Sequence, residues 1–289
     1  MSTPEVAVDV DAIVARFPLH GAVEETTKRR GPGTDLRDLS TRRYPLLMRG
    51  LAADWPASRR WTFEHLAEKG AGIEVSVNRS IREQYQTASE QRDLGDYIRS
   101  LIADDDTVRG GYDQTYVAYS WLFKLIPELR EDIPLRELFG RRMHTQPAAW
   151  IGPAATVTGL HSDNGYPNVL AQIRGRKSVV LFQPGTDLYE SHKYEFCTST
   201  STVDLQQLDF DRFPRLLQAV PQVAHLEEGD GLFIPPTWWH YVVAQTPSVS
   251  VSTFFGEPLH FLPVAAREVP KNLLHRAGLY KRGNCICHS

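Results

Sequence analysis

Residues 160–182 read Leu160-His161-Ser162-Asp163-Asn164-Gly165-Tyr166-Pro167-Asn168-Val169-Leu170-Ala171-Gln172-Ile173-Arg174-Gly175-Arg176-Lys177-Ser178-Val179-Val180-Leu181-Phe182. The second half of this stretch is strand, turn, strand. Val169 to Ile173 is a short apolar-rich run, Arg174-Gly175-Arg176-Lys177 is a tight turn with a glycine, and Ser178 to Phe182 is a second run. The pattern predicts a β-hairpin. The same grammar returns downstream. Glu227-Glu228-Gly229-Asp230-Gly231 is a turn rich in glycine and acid. It leads into Leu232-Phe233-Ile234-Pro235, then Tyr241 to Ala244, then the alternating Ser248-Val249-Ser250-Val251-Ser252. Several short strands with turn punctuation predict a mainly β protein, a sandwich or barrel.

His161-Ser162-Asp163 opens the stretch. On a strand or strand end, residues i and i+2 point the same way. His161 and Asp163 then converge on one point while Ser162 faces away. A third ligand is supplied by His240, at the end of Ile234-Pro235-Pro236-Thr237-Trp238-Trp239-His240, which reads as another buried strand. Two histidines and one carboxylate are the ligand set of a non-haem Fe(II) oxygenase, in which three protein ligands leave three positions open on an octahedral ion. The His-x-Asp pattern alone is weak, since it arises often by chance; its setting among β-strands gives it meaning.

Composition bounds the class. The chain has 289 residues, 42% hydrophobic and 23% charged, enough for one large soluble domain with helical extensions. The formal net charge of −3, without a long basic run, does not favour nucleic acid or an anionic membrane as partner. No apolar stretch approaches a membrane span. Met1-Ser2-Thr3-Pro4-Glu5 has neither the charge nor the following apolar core of a signal peptide. Three cysteines, an odd count, argue against a disulfide framework and for a reducing, cytoplasmic setting. The chain divides into an N-terminal extension (1–40), a large β region with helices (41–257) and a C-terminal helical segment and tail (258–289). The first carries an amphipathic segment, Val10 to Phe17, and a polar loop, Thr27 to Gly33. The second has expected helices at Thr62 to Lys69, Leu94 to Ala103 and near Phe210 to Ala219, and a Ser/Thr-rich insertion at Cys197 to Thr202. The tail residues Cys285, Cys287 and His288 suit a soft metal but lack a fourth ligand.

A family resemblance gathers these pieces. Trp150-Ile151-Gly152-Pro153, Thr158 to Asp163, Gln172 to Lys177, Thr202-Val203-Asp204 followed by Phe213-Pro214, and Trp239-His240-Tyr241 resemble the core of the JmjC, or cupin-like, 2-oxoglutarate oxygenases. Upstream, Leu47 to Leu51, Asp54-Trp55-Pro56, Tyr116, Leu122-Phe123 and Ile126 to Leu129 continue the likeness. It runs from about residue 40 to about 257 and is strongest toward the small JmjC hydroxylases of the arginyl and asparaginyl type. It implies a double-stranded β-helix (jelly-roll, cupin) core with flanking helices. It also implies Fe(II) on His161, Asp163 and His240, 2-oxoglutarate as co-substrate, and O₂.

The resemblance assigns further residues one by one. Lys177 matches the basic residue that holds the far carboxylate of 2-oxoglutarate, and Thr158 and Tyr116 match hydroxyl donors to the same group. Asn168 matches an amide near the co-substrate, and Ser252 falls where relatives carry Asn or Ser. Trp150 and Phe254 fall at positions flanking the substrate in the arginyl hydroxylases. Glu74, in Ile73-Glu74-Val75, is the expected acid for a substrate guanidinium, alongside cation–π contacts. Taken singly, Lys177 reads as a solvated turn residue, Thr158, Asn168 and Ser252 as ordinary strand or turn residues, Trp150 and Phe254 as core aromatics, and Glu74 as an exposed strand carboxylate. Occurring together and in order, they imply a dioxygenase that hydroxylates an amino-acid side chain, free or in a peptide or protein, arginine among the candidates. N-methyl demethylation, hydroxylation of a tRNA or small molecule, and a non-enzymatic metal- or ligand-binding cupin stay open as alternatives. Phe261 to Tyr280 is a candidate dimer-forming segment by the same analogy.

Overall fold

A computed structural model describes residues 8–27, 36–81, 84–103, 115–163 and 165–285. Of the expected polar loop, residues 28–33 lie outside them, as do the tail residues Cys287 and His288. The strands, in chain order, are β1 (Gly21–Ala22), β2 (Glu25–Thr26), β3 (Leu46–Met48), β4 (Glu74–Ile81), β5 (Gln84–Asp93), β6 (Val117–Ser120), β7 (His144–Gly152) and β8 (Val157–Asp163). They continue with β9 (Asn168–Arg174), β10 (Lys177–Phe182), β11 (Thr198–Thr200), β12 (Gln222–Leu226), β13 (Gly231–Ile234), β14 (Trp239–Ala244) and β15 (Ser248–Gly256). The helices are α1 (Val10–Val14), α2 (Pro56–Arg60), α3 (Phe63–Lys69), α4 (Leu94–Ile102), α5 (Leu122–Leu125), α6 (Leu135–Phe139) and α7 (Leu262–Arg276). None is long and apolar enough to cross a membrane.

One sheet runs β1-β12-β10-β14-β8-β11, and the facing sheet runs β2-β3-β13-β9-β15-β7-β6. Consecutive core strands alternate between the two: β7, β9, β13 and β15 belong to the second, and β8, β10, β12 and β14 to the first. This alternation makes the two sheets the walls of a double-stranded β-helix, as expected. It also corrects the hairpin expected at Arg174 to Lys177. β9 pairs with β13 and β15, whereas β10 pairs with β12 and β14. The tight turn is a corner between sheets. Its backbone amides go to side chains of neighbouring loops: Gly175 N donates to Glu228 Oε1 (2.7 Å) and Arg176 N to Thr246 Oγ1 (2.9 Å). Turn chemistry names a reversal of the chain; the partners that bury each strand decide which sheet it joins.

Gly175 sits at φ +70, and a Cβ there would overlap the Pro247 carbonyl oxygen. Left-handed backbone is costly for residues with a Cβ. Gly175→Ala is expected to lower stability by about 1–3 kcal/mol from backbone strain alone, read as a fall of several degrees in melting temperature.

Three apolar clusters stabilise the sandwich. Between the sheets lie Leu170, Val179, Leu181, Leu232, Ile234 and Val242. Outside the seven-stranded sheet, Val249, Val251 and Phe255 pack under the helices with Leu66, Tyr97, Ile98 and Phe139. Outside the six-stranded sheet, Val180, Phe182 and Tyr241 meet Val10, Ile13, Val14 and Phe17 of the N-terminal segment. The expected amphipathic segment holds a short helix, Val10–Val14, capped by Asp9 accepting from Ala12 N. The helix expected near Phe210 to Ala219 is a 3₁₀ turn, Pro214–Gln218. The Ser/Thr-rich segment is no loose insertion: β11 pairs antiparallel with β8, Thr198 opposite Asp163. In the tail, Cys285 is buried and bridges Tyr194.

Candidate active site

The inner faces of the two sheets carry the site. On β10, alternation sends Lys177, Val179 and Leu181 inward and Val180 and Phe182 outward. On β15 it sends the serines inward and the valines outward, so Ser250 donates to Gln172 Oε1 (2.7 Å) and Ser252 accepts from Trp150 Nε1 (2.8 Å). On β8 the alternation is broken. Val242 is opposite Thr158 and His240 opposite His161, so three steps along β8 match two along β14. This β-bulge at Gly159-Leu160 turns Thr158 and His161 toward the same cavity.

His161, Asp163 and His240 converge on a pocket of about 430 Å³. Their ligand atoms lie within 4.8 Å of one another. His240 Nε2 is 3.6 Å from Asp163 Oδ2, and the two imidazole rings are 3.9 Å apart. Each histidine is oriented from behind. His161 Nδ1 is 2.7 Å from Gly159 O, and His240 Nδ1 is 3.1 Å from Trp238 O. An Nδ1–H donated to a carbonyl leaves Nε2 with its lone pair for a metal. Burial, reinforced by His240, holds His161 well below the usual imidazole range, in the neutral ligand form. Burial raises Asp163, against the opposing effect of His240. The turn before His240 is strained: Thr237, a β-branched residue, has φ +65, and its amide donates to Asp163 O (3.1 Å). That bond ties the third ligand's strand to the first two.

The same pocket is lined by Lys177, Tyr116, Thr158, Asn168 and Ser252, all buried. Lys177 Nζ is 3.3 Å from Tyr116 Oη, and among the described residues no carboxylate pairs with it. Burial alone draws its pKa down to about 7. Burial raises Tyr116, which also bonds to Thr158. Asn168 Oδ1 is buried with no hydrogen-bond partner. A buried cation and an orphaned amide oxygen are costly unless a ligand satisfies them. A dicarboxylate with one end on the metal and the other on Lys177 fits this donor set, so the residues suit both Fe(II) and 2-oxoglutarate.

Trp150 and Phe254 line the same pocket, with Tyr166, Phe196 and Trp121. The Tyr116 and Trp150 rings are 5.9 Å apart, and Tyr166 and Phe254 are 6.5 Å apart, edge to face. Glu74 is not brought here. It begins β4, exposed, opposite Asp93 in the β4–β5 hairpin. Among the described residues, the carboxylate that lines the pocket besides Asp163 is Glu195, which sequence reasoning missed. It precedes β11 in a segment that reads as a loop, and only the pairing of β11 with β8 brings it beside Asp163.

The Cupin-like domain family matches residues 33–260. The chain is 34% identical over 271 residues to lysine-specific demethylase JMJ30 of Arabidopsis thaliana, covering 88% of this chain and 62% of that protein. It is 32% identical to Jumonji C domain-containing protein 5 of Drosophila melanogaster, covering 72% and 53%. It is 26% identical to tRNA wybutosine-synthesizing protein 5 of Gallus gallus, covering 76% and 73%. The chain thus spans little more than half the length of the first two of these relatives. With its sheet alternation, its His-Asp-His cluster and these matches together, the chain belongs to the cupin-like JmjC family of 2-oxoglutarate oxygenases.

Proposed function

We propose that the protein is an Fe(II)- and 2-oxoglutarate-dependent dioxygenase that hydroxylates an amino-acid side chain, free or within a peptide or protein. The observation that carries this reading is the pairing, in one pocket, of the His161-Asp163-His240 cluster with the buried Lys177, which has no carboxylate partner among the described residues. Bound iron and 2-oxoglutarate supply the oxidising chemistry, in which O₂, 2-oxoglutarate and a substrate C–H bond give succinate, CO₂ and an alcohol. The protein's part is positioning. His161, Asp163 and His240 would hold the metal as a set of three protein ligands. Lys177, Tyr116 and Thr158 hold the far carboxylate, and Asn168 offers its amide alongside. Leu170, Ile234 and Val242 line the pocket and restrict water, which strengthens the charge contacts within it.

N-demethylation is a second reading, favoured by the relatives named lysine-specific demethylases. Hydroxylation of an N-methyl group releases formaldehyde, so the two readings share one site. Aerobic incubation with Fe(II), 2-oxoglutarate and a peptide library tests both. Peptide-stimulated succinate with a mass gain of one oxygen is the expected result. Loss of a methylene with formaldehyde release selects the second reading. Absence of iron-dependent succinate with every peptide counts against the oxygenase and for a binding cupin.

A further inference from the structure

The pocket wall contains a carboxylate, besides Asp163, that metal and co-substrate binding do not use. Glu195 lines the pocket with Phe196, Tyr166, Trp150 and Phe254. Its Oε2 is buried with no hydrogen-bond partner, and among the described residues no cation pairs with it. Chain geometry holds it beside the metal end: Glu195 bridges Thr198, and Thr198 lies opposite Asp163. The nearby acid Glu268 is already paired with Arg267 (2.7 Å) and Lys271 (3.1 Å) on α7. Burial, with Asp163 beside it, pushes this carboxyl up to about 8; a buried carboxylate without a partner is unfavourable, so its ionised form calls for a cationic ligand.

The charge balance of the loaded pocket indicates the ligand's sign. Fe(II) and Lys177 together are offset by Asp163 and the two carboxylates of 2-oxoglutarate. Among the described residues, Lys177 is the only lysine or arginine lining the pocket, and Asp163 and Glu195 are the acids. In its ionised form Glu195 therefore adds one uncompensated negative charge to a wall that also carries aromatic rings. Such a setting selects a cation, through a charge-assisted hydrogen bond and cation–π contact.

We propose that Glu195 is the specificity-determining residue of this pocket, and that it anchors a monocationic side chain, guanidinium or ammonium, of the substrate. The inference rests on the oxygenase reading, because iron and 2-oxoglutarate set the charge balance. It places on the loop before β11 the role expected of Glu74.

The test uses four short peptides identical except for a central arginine, lysine, citrulline or norleucine. Their affinities are measured by calorimetry on protein loaded with Mn(II) and an inert 2-oxoglutarate analogue, for wild type, Glu195→Gln and Glu195→Asp. Wild type is expected to bind the arginine or the lysine peptide about tenfold or more tighter than the neutral pair, the stronger of the two identifying the cation. Glu195→Gln is expected to remove that preference while still binding the neutral peptides, and Glu195→Asp to keep part of it. Equal wild-type affinity for charged and neutral peptides, binding of none at millimolar concentration, or a preference that survives Glu195→Gln overturns the inference alone. Failure of wild type to take up Mn(II) and the analogue overturns the oxygenase reading as well.

Discussion

The His161→Ala protein is expected to bind Mn(II) or Fe(II) more than about 100-fold more weakly than wild type, and to form no succinate above background. Removing a residue that merely orients a metal ligand typically costs about 10–100-fold in affinity, and loss of a ligand exceeds that. Two features make His161 the sharpest choice. It is 4% exposed, so no water-rich surface offers a substitute ligand. Its ring also packs 3.9 Å from that of His240, so truncation loosens the second ligand too. The variant keeps Asp163 and the strands that carry it, and unchanged circular dichroism separates lost chemistry from lost fold. Calorimetric metal titration is the primary readout, since it does not depend on knowing the substrate. Metal affinity within threefold of wild type would remove His161 from the ligand set, and with it the cluster as drawn.

Lys177→Met is expected to have opposite effects on co-substrate binding and on the stability of the ligand-free protein. Without the ammonium, the far carboxylate of 2-oxoglutarate enters the pocket unpaired. Breaking a buried charge pair costs about 3–5 kcal/mol, which is about two to four orders of magnitude in 2-oxoglutarate affinity. In the ligand-free protein, however, the lysine is the liability. It is 2% exposed, its ammonium bonds among the described residues to Tyr116 at 3.3 Å, and burial brings its pKa from 10.5 to about 7. The unfolded chain therefore binds the extra proton between those values. The destabilisation by Lys177 is fully present below pH 7 and fades as pH rises toward 10.5. Lys177→Met, of similar length but uncharged, should unfold at a higher urea midpoint than wild type. Its advantage should be largest at or below pH 7 and should shrink above it. A variant with unaltered 2-oxoglutarate affinity would dismiss Lys177 as the anchor. A stability difference independent of pH would assign the effect to packing rather than charge.

Much of this site was legible in the linear sequence, for definable reasons. His161 and Asp163 are two residues apart on a strand, so a period of two brings them together without knowledge of any partner. Lys177 could be placed only through the family likeness, since a lysine after a glycine turn otherwise reads as a surface residue. Inside the fold it is inward-facing because the turn is a corner between sheets. Thr158 shows the limit of periodicity. Strict alternation sets a residue three positions before His161 on the opposite face, and the bulge against β14 brings it back. Glu74 and Glu195 show a second limit. Both are acids in polar surroundings, and nothing local distinguishes the exposed one from the one beside the metal cluster.

The sequence by itself determined the β-rich class, the position of most strands, the residues of the His-Asp-His cluster and, through resemblance, the residues proposed to anchor the co-substrate. These depend on alternation, turn residues and short spacings, which are local properties of the backbone. Only the tertiary structure decided which sheet each strand joins, how the bulge aims Thr158, why the serines of β15 face inward, and which acid lines the pocket. Those outcomes depend on which surfaces bury one another across long separations along the chain. That choice is made by the summed burial of whole strands, and no short window contains it.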